Sequence, residues 1–143
     1  MRPHLPIVAQ EFSQLLATDI APNLTGFRAN NVHMMSFMLK MMAEEWDRAA
    51  SRLVDENRAI RGLLRQAATA LGDDSLARAA DTEDSDLKVS VLEAENDRLR
   101  TLLIDIHARA EQAEGPAVRA LEDAIWEELR HSVERRRVSL ANF

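Results

Sequence analysis

No proline occurs from residue 23 to residue 115, and within that stretch glycine stands only at 26, 62, 72 and 115. Proline removes a backbone donor and clashes with the preceding turn, so its absence over such a length leaves helices free to run long. Composition points the same way. Ala and Leu number 22 and 18, against 19 for Val, Ile and Thr together, a balance that favours helix over strand. The expected fold class is all-α: an elongated antiparallel bundle of four main helices in one domain spanning 1–143, with coiled-coil-like seams.

The prolines and glycines place the boundaries. A first helix over about 6–18 opens on Pro6, whose missing N–H costs nothing in the first turn. Ile7, Val8, Phe12, Leu15 and Leu16 recur on one face, and Pro22 turns the chain. A second helix over about 27–71 ends at Gly72, the residue type that best takes the left-handed position after a helix. Unbroken, it would run roughly 67 Å at 1.5 Å per residue. Its seam is Trp46, Ala50, Leu53, Asn57, Ile60, Leu64, Ala67 and Leu71, spaced alternately by four and three as in a packed helix.

An acidic connection follows, in which 75–80 suits a short helical turn. Thr82, Asp84 and Ser85 are candidate caps for a third helix over about 84–113. The seam of that helix is Val89, Leu92, Asn96, Leu99, Leu103, Ile106, Ala110 and Ala113. Gly115-Pro116 then leads into a fourth helix over about 116–140, and so short a link makes the two antiparallel neighbours.

Residues 53–64 and 92–103 echo each other at an offset of 39, with six identities in twelve: Leu, Glu, Asn, Arg, Leu and Leu. A duplicated helix and a shared coiled-coil alphabet both explain the echo. Two copies fall short of the three a solenoid usually needs, which favours the alphabet. Asn57 and Asn96 each interrupt an apolar seam. Counted from their helix ends, they fall at nearly one level of an antiparallel hairpin. The expectation is that they hydrogen-bond, to each other or across a dimer axis, and fix register.

The most unusual feature is the methionine run Met34, Met35, Met38, Met41 and Met42, with Phe37 among them and Trp46 one turn on. A helix apolar nearly all round must be covered all round. The first helix can cover one flank, and a second copy of the chain is the simplest cover for the rest. The run thus reads as a core or homodimer seam. The alternative is a pocket for an apolar ligand near Met34–Met42, since methionine adapts to many partners. A thioether copper site with His33 is a lesser reading.

Catalytic patterns are weak. The chain has no cysteine, which removes disulfides, thiolate metal sites and cysteine nucleophiles. Glu128 and His131 form Glu-x-x-His on one helix face, as in di-iron bundles, but no second copy exists to complete the set. They are weak metal candidates beside the plainer reading of a solvated face. His33, His107 and His131 lack a basic residue three positions on that would help hold a phosphate. No glycine-rich phosphate loop occurs. Arg135-Arg136-Arg137 before Ser139 suits the negative end of the last helix dipole better than a recognition motif.

A net charge of −6 gives no general reason to bind nucleic acid. The least polar stretch, residues 29–43, falls short of the roughly 20 residues that span a bilayer, and Met1–Pro6 does not read as a signal peptide. The expectation is a cytoplasmic, non-catalytic helical interaction or scaffold protein, needing no cofactor, touching no membrane and self-associating through the methionine-rich segment.

Overall fold

A computed structural model describes residues 4–139. The fold is all-α, with no strand among the described residues. The α-helices are α1 (Leu5–Leu15), α2 (Phe27–Leu71), α3 (Asp74–Ala80), α4 (Val89–Ala110) and α5 (Pro116–Arg136). They fall into two compact units. One holds residues up to Ala49 together with the tail from Arg137, and the other runs from Ala50 to Arg136. Helix α2, 45 residues without a break, contributes to both.

The first unit is a helical hairpin. Pro22 has no N–H, so the regular ladder cannot continue through it. The chain passes from α1 into a π turn (Leu16–Ile20), where Ala21 N–H reaches back to the Leu16 carbonyl, and then into a 3-10 turn (Ala21–Asn23). The Asn23 amide donates to the Asp19 carbonyl at 2.6 Å, filling an acceptor at the turn. Gly26, with φ at +57°, makes the left-handed step that opens α2. The first helix therefore ends at Leu15 as a regular α-helix, earlier than the 18 expected, because the proline's missing donor is felt upstream.

The second unit packs the C-terminal part of α2 with α3, α4 and α5. Its core is built from Ile60, Leu64, Leu99, Ile106, Leu121 and Ile125, each nearly or wholly buried, with alanines between them. The α2 seam from Leu53 to Ala67 lies inside as its spacing implies. Gly72, φ +65°, closes α2, and Asp73 N–H bonds the Ala68 carbonyl at 3.0 Å across the end, the six-to-one bond of a Schellman motif. Asp73 then caps α3 by accepting from Ser75 N–H at 3.0 Å.

Three further boundaries move, one of them the end of α4, which stops at Ala110 and not near 113. Helix α4 begins at Val89, not near 84, and none of Thr82, Asp84 or Ser85 caps it. Asp84 instead accepts from Asn57 and Arg61, both at 2.9 Å, and Thr82 donates to Glu95 at 3.0 Å. Their side chains are drawn sideways onto α2 and α4, so the linker stays non-helical until Lys88. Helix α5 ends at Arg136; residue 140, where the sequence placed its end, lies outside the described residues.

Candidate interaction surface

The hairpin joins its helices through small side chains. Ser13 and Ser36 are wholly or nearly buried. Ser13 Oγ donates to the Ser36 carbonyl, Ser36 Oγ donates to the Ser13 carbonyl, and the two hydroxyls also meet, all at 2.9 Å. Ala43 is buried with them. Small groups at the contact let the helices come close, and the large side chains are left pointing away.

Every one of the expected interface residues is placed by this arrangement. Met34, Met35, Met38, Met42 and Trp46 are each more than half exposed, Phe37 is 40% exposed, and Met41 is half-buried. On α1, Leu5, Ile7, Phe12 and Leu15 are exposed as well. One side of the hairpin forms an apolar groove of about 240 Å³, lined by Leu5, Val8, Phe12, Leu39, Met42 and Trp46 among others. The other side is a wider groove that mixes apolar and charged groups, Ile7 among Gln10, Lys40, Glu44 and Asp47. Into that side Ser139 is tied, its N–H donating to both Glu44 oxygens at 3.1 Å and its Oγ to Oε2 at 2.6 Å. These bonds hold the Glu44 carboxyl below its usual range.

The second unit holds a polar centre that hydrophobic periodicity alone does not reveal. Asn96 Nδ2 donates to Asn57 Oδ1 at 2.9 Å, and both side chains are buried. The same Asn96 nitrogen donates to Glu56 at 3.2 Å. Glu56 is fully buried. It accepts from Arg136 Nε and Nη2 at 2.8 and 2.7 Å and from Ser132 Oγ at 2.7 Å, with Arg100 at 3.7 Å. Burial raises a carboxyl, but here the bonds from Arg136 and Ser132 and the nearby charges outweigh it and bring Glu56 down to about 2. Glu95 is likewise brought to about 2, first by its bond from Arg98 and then by those from Arg61 and Thr82, against burial.

Asn57 and Asn96 stood out in the sequence; Glu56 and Ser132 did not, and Arg136 was read only as a match for the helix dipole, whereas it forks onto Glu56. The available signal was position: Glu56 and Arg61 flank Asn57 on the buried side of α2. Their partners on α5 and the linker could not be read from one helix alone.

The Glu128–His131 spacing does not assemble a centre. Glu128 is paired with Arg135, and burial pushes its carboxyl up against that arginine's pull. His131 is exposed. Among the described residues no group of three or more His, Asp or Glu side chains is placed to hold a metal ion. Trp126 stands edge-on to His107, ring centres 5.4 Å apart. No described helix is long and apolar enough to cross a membrane. No family model, no curated protein and no solved structure matches the chain.

Proposed function

We propose that this chain is a non-catalytic helical interaction protein of the cytoplasm that self-associates through the apolar side of its α1–α2 hairpin. One observation carries the reading. The hairpin spends its small residues on its own contact and turns its large apolar ones to solvent. Leu5, Phe12, Met35, Met38, Met42 and Trp46 are all exposed on this one unit, a concentration of large apolar side chains that asks for a cover. Exposed apolar side chains gathered in this way are the mark of an interaction site. A second copy presents the same apolar side, so one patch can serve both partners about a twofold axis. Methionine suits such a face because it repacks easily.

Light scattering on the eluting peak tests this. The expected mass is twice 16.1 kDa, falling to that of a single chain when Met38 and Met42 are both replaced by Glu. A wild-type monomer at micromolar concentration would overturn the proposal.

The apolar groove itself supports a second reading, a site for a small apolar ligand. Its lining from Leu5 to Trp46 offers almost no polar group, as expected of a site that binds by burial alone. Native mass spectrometry separates the two: a bound small molecule on a single chain favours the ligand site, and an adduct-free dimer favours self-association.

A further inference from the structure

The echo between residues 53–64 and 92–103 has a geometric counterpart. The residues repeated at the offset of 39 are those that meet. Asn57 pairs with Asn96, its own equivalent, at 2.9 Å. Arg61 Nη2 donates to Glu95 at 2.8 Å, and the equivalent pair, Arg100 with Glu56, stands at 3.7 Å. Leu53 and Leu92, and Leu64 and Leu103, are buried at matching positions. Exchanging one segment for the other maps the Asn57–Asn96 pair onto itself and Arg61–Glu95 onto Arg100–Glu56.

The reason is elementary. An arginine four residues after the asparagine shares its helix face. Helix α4 runs alongside α2 in the same direction, Arg109 in its last turn meeting Asp73 just past the end of α2 at 2.9 Å. In such a pair the arginine reaches diagonally back to the glutamate just before the other asparagine. Glu-Asn-x-x-x-Arg is therefore complementary to itself in parallel pairing, about a twofold axis that runs along the helix pair, which is the defining property of a twofold interface. A helix of other sequence laid against it would leave the buried Asn57 Oδ1 without its donor and take Glu95 from Arg61, a cost that selects against wrong pairings.

We infer that the two segments are copies of one self-complementary pairing code, and that the code also works between chains: α4 of one copy takes α2 of a second. The unit exchanged is α4 with α5, and the hinge is the non-helical linker over 81–88. Arg136 travels with α5, so the exchanged form remakes its bonds to Glu56. The inference stands apart from the hairpin proposal, since every residue in it lies in the other unit.

Two full-length variants test it. One carries Arg61→Glu, Arg100→Glu and Arg136→Glu, the other Glu56→Arg and Glu95→Arg, so that the fork onto residue 56 follows the same rule as the α2–α4 pairs. Each alone sets like charges across its own α2–α4 pair; between the two, every pair is opposite. They are unfolded together in urea, refolded at equal concentration and weighed by native mass spectrometry. The expected product is a heterodimer more than tenfold in excess of either homodimer, with a melting midpoint above both single variants. A one-to-two-to-one mixture of dimers would mean association that ignores the code, and would overturn the inference. So would separate monomers, or variants that each melt with the wild-type midpoint.

Discussion

Glu56 and Arg136, 80 residues apart, meet through two parallel hydrogen bonds of 2.8 and 2.7 Å, one to each carboxylate oxygen. This fork is the strongest geometry available to an arginine and a carboxylate. It ties the last turn of α5 to the middle of α2. Replacing Glu56 by Ala leaves the donors of Arg136, Ser132 and Asn96 without their acceptor. The cost is expected to be about 1–3 kcal/mol, because the Arg136 side chain is 43% exposed and regains water when its acceptor is gone. Arg136→Ala is expected to cost less, because Ser132, Asn96 and Arg100 still face the carboxylate. Urea unfolding midpoints of the two variants check the order; a larger loss for Arg136→Ala would contradict it.

Stability is expected to depend on acid through the same groups. The carboxyls of Glu56 and Glu95 lie near 2 in the folded chain, below their ordinary value of 4.5. A depressed folded value means stability that is fully present above 4.5 and is lost as pH falls toward 2. For Glu56, which is fully buried, the loss is on the order of 3 kcal/mol. Unfolding midpoints measured at intervals from pH 6 to about pH 2.5 should fall steadily, and Glu56→Gln should flatten the curve. An unchanged slope in that variant would remove Glu56 as its source.

The hairpin contact makes a different demand, for small size. Ser13 is completely buried and touches Ser36 through both hydroxyl and carbonyl. Ser13→Leu would force the helices apart, and overpacking of this kind costs about 1–3 kcal/mol. Ser13→Ala keeps the close approach and loses only hydrogen bonds, about 1 kcal/mol. Amide hydrogen exchange across residues 5–36 should report the difference, with faster exchange in the leucine variant. Equal protection in both would show that the contact tolerates bulk.

Much of this architecture is legible before any coordinates are seen. The missing prolines announce α2, Gly72 its end, and Gly115-Pro116 the turn into α5. The pairing of Asn57 with Asn96 is legible from their like places in the two seams, but the helix direction is not. The sequence set them in an antiparallel hairpin, whereas the linker returns along α2 and α4 then runs parallel to it, so that Asp73 and Arg109 meet at the ends of the two helices. What else cannot be read is lateral. Asp84 looks like a cap when only its own neighbours are considered, yet Asn57 and Arg61, more than twenty residues away, claim it first. Glu56 looks like a surface residue at the edge of an apolar stripe until α5 arrives with Arg136. Ser13 and Ser36 give no hydrophobic signal at all, although a serine set among apolar residues in mid-helix is a place to look for a close approach.

The serine pair has one more consequence. Hydroxyls and backbone carbonyls carry no charge that acid or salt can remove, so this contact within the hairpin is indifferent to both. The polar centre around Glu56 is held by ions. A single chain thus joins a clasp that ignores its solvent to a lock that reads it, and a drop in pH acts on the second while leaving the first fastened.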